Sequence, residues 1–102
     1  MNYHRYIQST AWQLKRLEYQ LSKKPQHCLI CHDEHYQLHH ITYKNLGNEP
    51  LEDLMPLCDP HHLAVHNWLK AHRSPVERSG QALMALRDPK PRPTGRRLQI
   101  AL

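Results

Sequence analysis

Between residues 9 and 24 the apolar positions Leu14, Leu17 and Leu21 recur at helical spacing, with Lys15, Arg16, Lys23 and Lys24 on the other side. Ser9 or Thr10 can cap such a helix and Pro25 ends it. The pattern then breaks. Cys28 to Cys31 reads as a tight turn, Tyr36-Gln37-Leu38-His39 as a short strand, and Leu54 to Cys58 as a second, kept short or at an edge by Pro56. Lys44 to Pro50 is rich in turn residues and joins the two strands. Helical signals return at Asp59-Pro60, because Asp is a strong N-cap and Pro suits the first helical position. A helix is therefore predicted over 60–72, stopping before Pro75. Ser74 and Glu77 have the spacing of a capping box, and a last helix runs to Arg87, weakened by Gly80. From Asp88 onward three prolines, four basic residues and one acid crowd into ten positions, the composition of a flexible basic tail. The segments are thus an N-terminal basic helix (1–26), a core (27–73), a C-terminal helix (74–88) and the tail (89–102), in one small α+β domain.

Composition narrows the function. The chain has 102 residues, 39% of them hydrophobic, with no Phe. So small and polar a chain buries a small core, and such cores usually need a staple. Three cysteines and ten histidines supply the candidate. The odd cysteine count argues against a disulfide framework. No apolar run reaches the ~18 residues of a membrane span, and MNYHRYIQST lacks a signal peptide's charged-then-apolar layout. A cytoplasmic, metal-dependent protein is expected. The net charge of +5 and pI near 9.3 favour a polyanionic partner. The basic side of the first helix is either a solvated face or one turned toward phosphates.

Eight of the ten histidines lie between His27 and His66, and with the cysteines they sort into two sets. Cys28, Cys31, Cys58 and His61 form two paired x-x spacings. Thiolates and imidazole suit Zn²⁺, and four ligands close a tetrahedral site without leaving a place for water. The alternatives are free buried cysteines and, less favoured without a βαβ pattern, a redox pair. His39, His40, His62 and His66 form the second set. His62 and His66, four apart on the predicted helix, share a face, whereas His61 lies about 100° round it. One helix can thus serve two metals. His39 and His40 are strand neighbours that point oppositely, so the strand must end or twist there if both serve one site.

The run Cys28-x-x-Cys31, Leu38-His39-His40-Ile41-Thr42-Tyr43-x-Asn45-Leu46-Gly47-x-Glu49, Asp53-Leu54-x-x-Leu57-Cys58-x-x-His61-His62-x-x-x-His66 resembles the HNH endonuclease family over residues 10 to 70. The resemblance implies a ββα-metal (His-Me finger) core, a hairpin and a helix around a catalytic ion. It implies His40 as general base, His39 as first metal ligand, and His62 and His66 as helix ligands of a three-histidine site like that of the colicin nucleases. Asp53 stands where the family usually has a bracing asparagine; an aspartate accepts a hydrogen bond but cannot donate as an amide does. His61 stands where zinc-bearing members usually have a fourth cysteine. Glu49 matches a position behind the site.

The implied reaction is phosphodiester hydrolysis with 5′-phosphate and 3′-hydroxyl products. The implied substrate is DNA, double-stranded and with weak sequence preference, in a bacterial or phage-infected cell. A three-imidazole site suits Mn²⁺, Co²⁺ or Ni²⁺ better than Mg²⁺. Two other readings compete: a non-catalytic zinc-stapled module that binds DNA or a protein, and a ribonuclease of the same fold.

Overall fold

The computed structural model describes residues 2–87. The tail expected over 89–102 lies outside the described residues. The described chain has α+β character: a two-stranded antiparallel sheet with helices before and after it.

The N-terminal segment is two helices where one was predicted. Helix α1 (Tyr3–Tyr6) is capped by Asn2, whose side chain accepts from the Arg5 N–H, and has no predicted counterpart. Helix α2 (Thr10–Gln20) starts as expected, with the Ser9 hydroxyl accepting from the Trp12 N–H at 3.2 Å. It ends four residues short of Lys24, well before Pro25. Ser22 Oγ and Gln26 Nε2 both donate to the Tyr19 carbonyl, so side chains close this end. The expected apolar face is overturned: Leu14, Leu17 and Leu21 are 61%, 47% and 77% exposed. Trp12 and Tyr19, two turns apart, are buried instead. Aromatic side chains bury more area than leucine, and the Tyr19 hydroxyl finds a partner in the Pro25 carbonyl at 2.9 Å.

Strands β1 (Gln37–His40) and β2 (Leu54–Leu57) pair Gln37 with Leu57, Leu38 with Pro56, His39 with Met55 and His40 with Leu54. Alternate side chains face opposite ways. On one face Met55 and Leu57 join a core with Cys28, Cys58, Val65, Leu69 and Ala82. On the other, Leu38 and Leu54 join Tyr6, Trp12 and Tyr19. The hairpin is thus a wall between two small cores, and β2 is buried along its whole length.

Helix α3 (Asp59–Ala71) follows β2 directly. Its N-cap is Cys58 and not the expected Asp59, so Pro60 is the second helical residue. Its C-terminus closes by two backbone bonds, Ser74 N–H to the Leu69 carbonyl and Arg73 N–H to the Lys70 carbonyl, with Arg73 at φ 51°. The capping box at Ser74 is not formed: Ser74 Oγ donates to the His72 carbonyl, and Glu77 accepts from Thr42 Oγ1. A 3-10 turn (Val76–Arg78) leads into helix α4 (Ser79–Arg87), whose buried residues are Ser79 and Ala82. No helix among the described residues is long and apolar enough to cross a membrane.

Candidate metal centres and acid–base site

Cys28, Cys31, Cys58 and His61 come together, with one donor atom of each within 4.8 Å of the others. Backbone bonds place them. His32 N–H reaches the Cys28 carbonyl with His32 at φ 69°, which folds the Cys28–Cys31 turn, and Ile30 N–H points at Cys28 Sγ, 3.4 Å away. Leu29 N–H bonds the Pro56 carbonyl and ties the turn to β2. Cys58 and His61 follow from the start of α3.

The donor spacing fits a zinc ion. Tetrahedral ligands at normal zinc bond lengths lie about 3.8 Å apart for two sulfurs and about 3.6 Å for sulfur and nitrogen. Here Cys31 Sγ and Cys58 Sγ are 3.6 Å apart, and His61 Nδ1 is 3.7 Å from Cys28 Sγ and 3.3 Å from Cys58 Sγ. A disulfide is excluded, because its sulfurs would be about 2.0 Å apart. Burial raises the Cys28 thiol, but the backbone N–H groups of Cys31, Cys58 and Ile30 and the His61 ring outweigh it and bring it down to about 6. Burial pushes Cys58 up to about 11, and the Cys31 and Cys28 sulfurs add to this. One thiolate thus opposes the next, and a divalent cation bound among these donors would favour both thiolates.

The second cluster is His39, His62 and His66, again with one donor nitrogen each within 4.8 Å. His62 and His66 sit one turn apart on α3, on a different side from His61, so the helix does serve two sets. Their Nε2 atoms are 3.1 Å apart. Two nitrogens bound to one ion lie about 2.9 Å apart at a right angle and about 3.4 Å apart in a tetrahedron. His39 comes in from β1, 1% exposed, and its Nε2 is 2.7 Å from Ser79 Oγ. Burial, then His62, His66 and His40, lowers the His39 pKa to about 3. Burial and His66 lower that of His62, against Asp59. His39 is therefore a neutral imidazole at neutral pH, the form that binds metals.

His40 parts from His39. It is the last residue of β1, one past the expected end at His39, and its ring goes to the opposite core, 2% exposed, so strand alternation keeps the two histidines on different faces. Its Nε2 is 2.6 Å from Glu49 Oε2, and the Tyr6 hydroxyl donates to Glu49 Oε1 at 2.6 Å. Burial alone would raise the Glu49 pKa, but Tyr6, its own backbone N–H and His40 hold it below the ordinary 4.5. An ionised carboxylate only accepts, so His40 Nε2 donates. The other ring nitrogen, Nδ1, is buried with no hydrogen-bond partner. Tyr3, Trp12 and Tyr43 surround the ring, with centroids 5.7, 4.9 and 5.8 Å away.

Two further expectations can be placed. Asp53 Oδ2 accepts from Asn45 Nδ2 at 3.0 Å, and Ile41 N–H bonds the Asp53 backbone carbonyl, so Asp53 is tied to the first part of the loop between the strands. On the basic side of the first helix, Lys15 pairs with Glu18 and Lys24 with Glu52, which leaves less free charge for phosphates than the sequence suggested. Sequence reading missed Tyr6, Trp12 and Ser79. The aromatic pair Tyr3 and Tyr6 was the available signal for α1; nothing local marked Ser79. Comparison with protein-family models, with curated proteins and with solved structures gives no match.

Proposed function

We propose that the chain is a metal-dependent nuclease of the HNH type, hydrolysing phosphodiester bonds of DNA. The observation that carries this reading is the state of His40. Glu49 takes one ring nitrogen and leaves the other buried and unpartnered, next in the strand to His39 but on the opposite face of the hairpin from the three-histidine cluster. A buried polar atom without a partner calls for an explanation, and an acid–base role is one. His40 Nδ1 would accept the proton of the attacking water as oxygen bonds to phosphorus; the bond from phosphorus to the 3′ oxygen breaks, and that oxygen takes a proton from solvent water to leave as the 3′-hydroxyl. Glu49 keeps the ring in the correct tautomer and offsets the imidazolium charge, and Tyr6 holds Glu49. His39, His62 and His66 would hold the ion. A divalent ion bound there supplies charge stabilisation at the phosphate and the leaving oxygen. The Cys28, Cys31, Cys58 and His61 set fits a structural zinc, because four protein donors leave no open position.

The burial of His40 under Tyr3, Trp12 and Tyr43 favours a second reading, in which His40–Glu49–Tyr6 is a core brace of a non-catalytic zinc-stapled module. Cleavage assays on duplex DNA, single-stranded DNA and RNA, with Mn²⁺, Co²⁺, Ni²⁺ or Mg²⁺ added to zinc-loaded protein, separate the readings. The nuclease reading expects duplex DNA to be nicked, best with the first three ions. Cleavage of RNA alone would make the chain a ribonuclease, and cleavage of nothing would leave the binding module.

A further inference from the structure

Helix α4 lies beyond the stretch that carries the HNH resemblance, yet it sends one polar side chain into the three-histidine site. Ser79, its first residue, is fully buried and touches His39. The hydroxyl of Ser79 lies 2.6 Å from the Val76 carbonyl and 2.7 Å from His39 Nε2.

A serine hydroxyl has one proton and two lone pairs, while a carbonyl oxygen can only accept. At 2.6 Å the proton of Ser79 belongs to Val76. What Ser79 offers His39 is then a lone pair, and His39 Nε2 must carry a hydrogen to meet it. In the neutral ring the other nitrogen, Nδ1, carries the lone pair, and only a lone pair can bind a metal ion. We infer that Ser79 is a positioning residue that fixes His39 as the Nε2–H tautomer, so that Nδ1 is its metal-binding atom.

The surroundings support this assignment. The 3-10 turn Val76–Arg78 brings the Val76 carbonyl within reach of Ser79 one turn later. Ala82, three residues on, is fully buried in the core beside α3, so small residues face inward at both positions and let α4 come close. His39 is 1% exposed, so water does not compete for Nε2. Outer hydrogen bonds of this kind orient ligating histidines and typically affect metal affinity 10- to 100-fold.

The inference rests on the reading of His39, His62 and His66 as a metal site, but its first test does not. Long-range ¹H–¹⁵N spectra of the zinc-loaded 102-residue chain, without a second ion, report the tautomer of each histidine; His39 is identified by its loss in His39→Asn. The expected result is Nε2–H. A Nδ1–H ring at His39 in the wild type overturns the proposal, whether or not any variant folds. The second test is calorimetric titration of the same protein with Ni²⁺. Ser79→Ala should bind Ni²⁺ about 10- to 100-fold more weakly, with a mixed His39 tautomer, and Ser79→Thr, which restores the hydroxyl, should recover part of the loss. Unchanged tautomer and affinity in folded Ser79→Ala also overturn it. If wild-type protein takes up no Ni²⁺ at all, the metal reading of the three histidines fails, while the spectra still decide the role of Ser79.

Discussion

The two histidine-bearing clusters share helix α3 but differ in how they are closed. At one end of the helix two cysteines of the turn, with Cys58 and His61, offer four donors and no vacancy for a fifth partner. On the other side three imidazoles offer three donors, of which His39 is buried, His62 half-buried and His66 exposed. The first arrangement joins segments distant in the chain and suits a staple. The second leaves room at the ion for something from outside. A single helix thus carries a site suited to holding the fold and a site suited to chemistry, separated by the 100° between His61 and His62.

The sharpest way to break the comparison is at Cys31. This side chain is exposed, and an exposed substitution without a metal normally shifts stability by no more than ~0.5 kcal/mol. If Cys31 binds zinc, Cys31→Ser should instead unfold the protein or lower its melting temperature sharply, with loss of about one zinc per chain by elemental analysis. A neutral Cys31→Ser with no zinc in the wild type removes the staple from the account.

A smaller effect is expected at Glu49, the partner of His40. Glu49→Gln puts an amide between His40 and Tyr6 and should cost about 1–3 kcal/mol in denaturant unfolding. Its pH dependence has a definite sign. Glu49 is held below 4.5 in the folded state, so it contributes stability above its unfolded pKa and loses that contribution as the pH falls through the folded value. Wild type should therefore lose stability in acid more steeply than Glu49→Gln; parallel acid limbs would show that Glu49 is not held ionised.

The smallest stability effect is expected at His66. The ring is exposed and its only described hydrogen-bond partner is His62, so His66→Ala should change metal-free stability by no more than ~0.5 kcal/mol. It should nonetheless abolish calorimetric binding of the second divalent ion while zinc content stays unchanged. If His66→Ala unfolds the protein, the two sites are not divided into staple and chemistry as described.

Much of this contrast was legible in the sequence because metal donors obey spacing rules that are local and chemical. Cys28-x-x-Cys31, Cys58-x-x-His61 and His62-x-x-x-His66 each fix a geometry within one turn, and the structure brings them together as two sets. The hairpin and α3 came within one residue of their predicted starts. The N-terminal helix was misread on its packing. Leu14, Leu17 and Leu21 have the right period for a buried face, but periodicity does not say which of two apolar faces meets the core. The larger rings of Trp12 and Tyr19 take that position. Tyr6, which holds Glu49 behind His40, and Ser79, which meets His39, were hidden for another reason. Tyr6 and Ser79 lie 34 and 40 positions away in the chain from the histidines they serve, and such pairings depend on tertiary packing that no local pattern encodes.

The central claim is that His40 moves a proton and does not hold the ion. The direct test sets His40→Ala beside His62→Ala in zinc-loaded protein, with Ni²⁺ or Mn²⁺ titration, duplex binding and plasmid nicking measured on each. His62→Ala should lose the second ion and cleavage together. His40→Ala should keep ion and DNA binding while nicking falls by about 10²- to 10⁴-fold. A His40→Ala protein that nicks as fast as wild type, or that loses the ion as His62→Ala does, contradicts the claim.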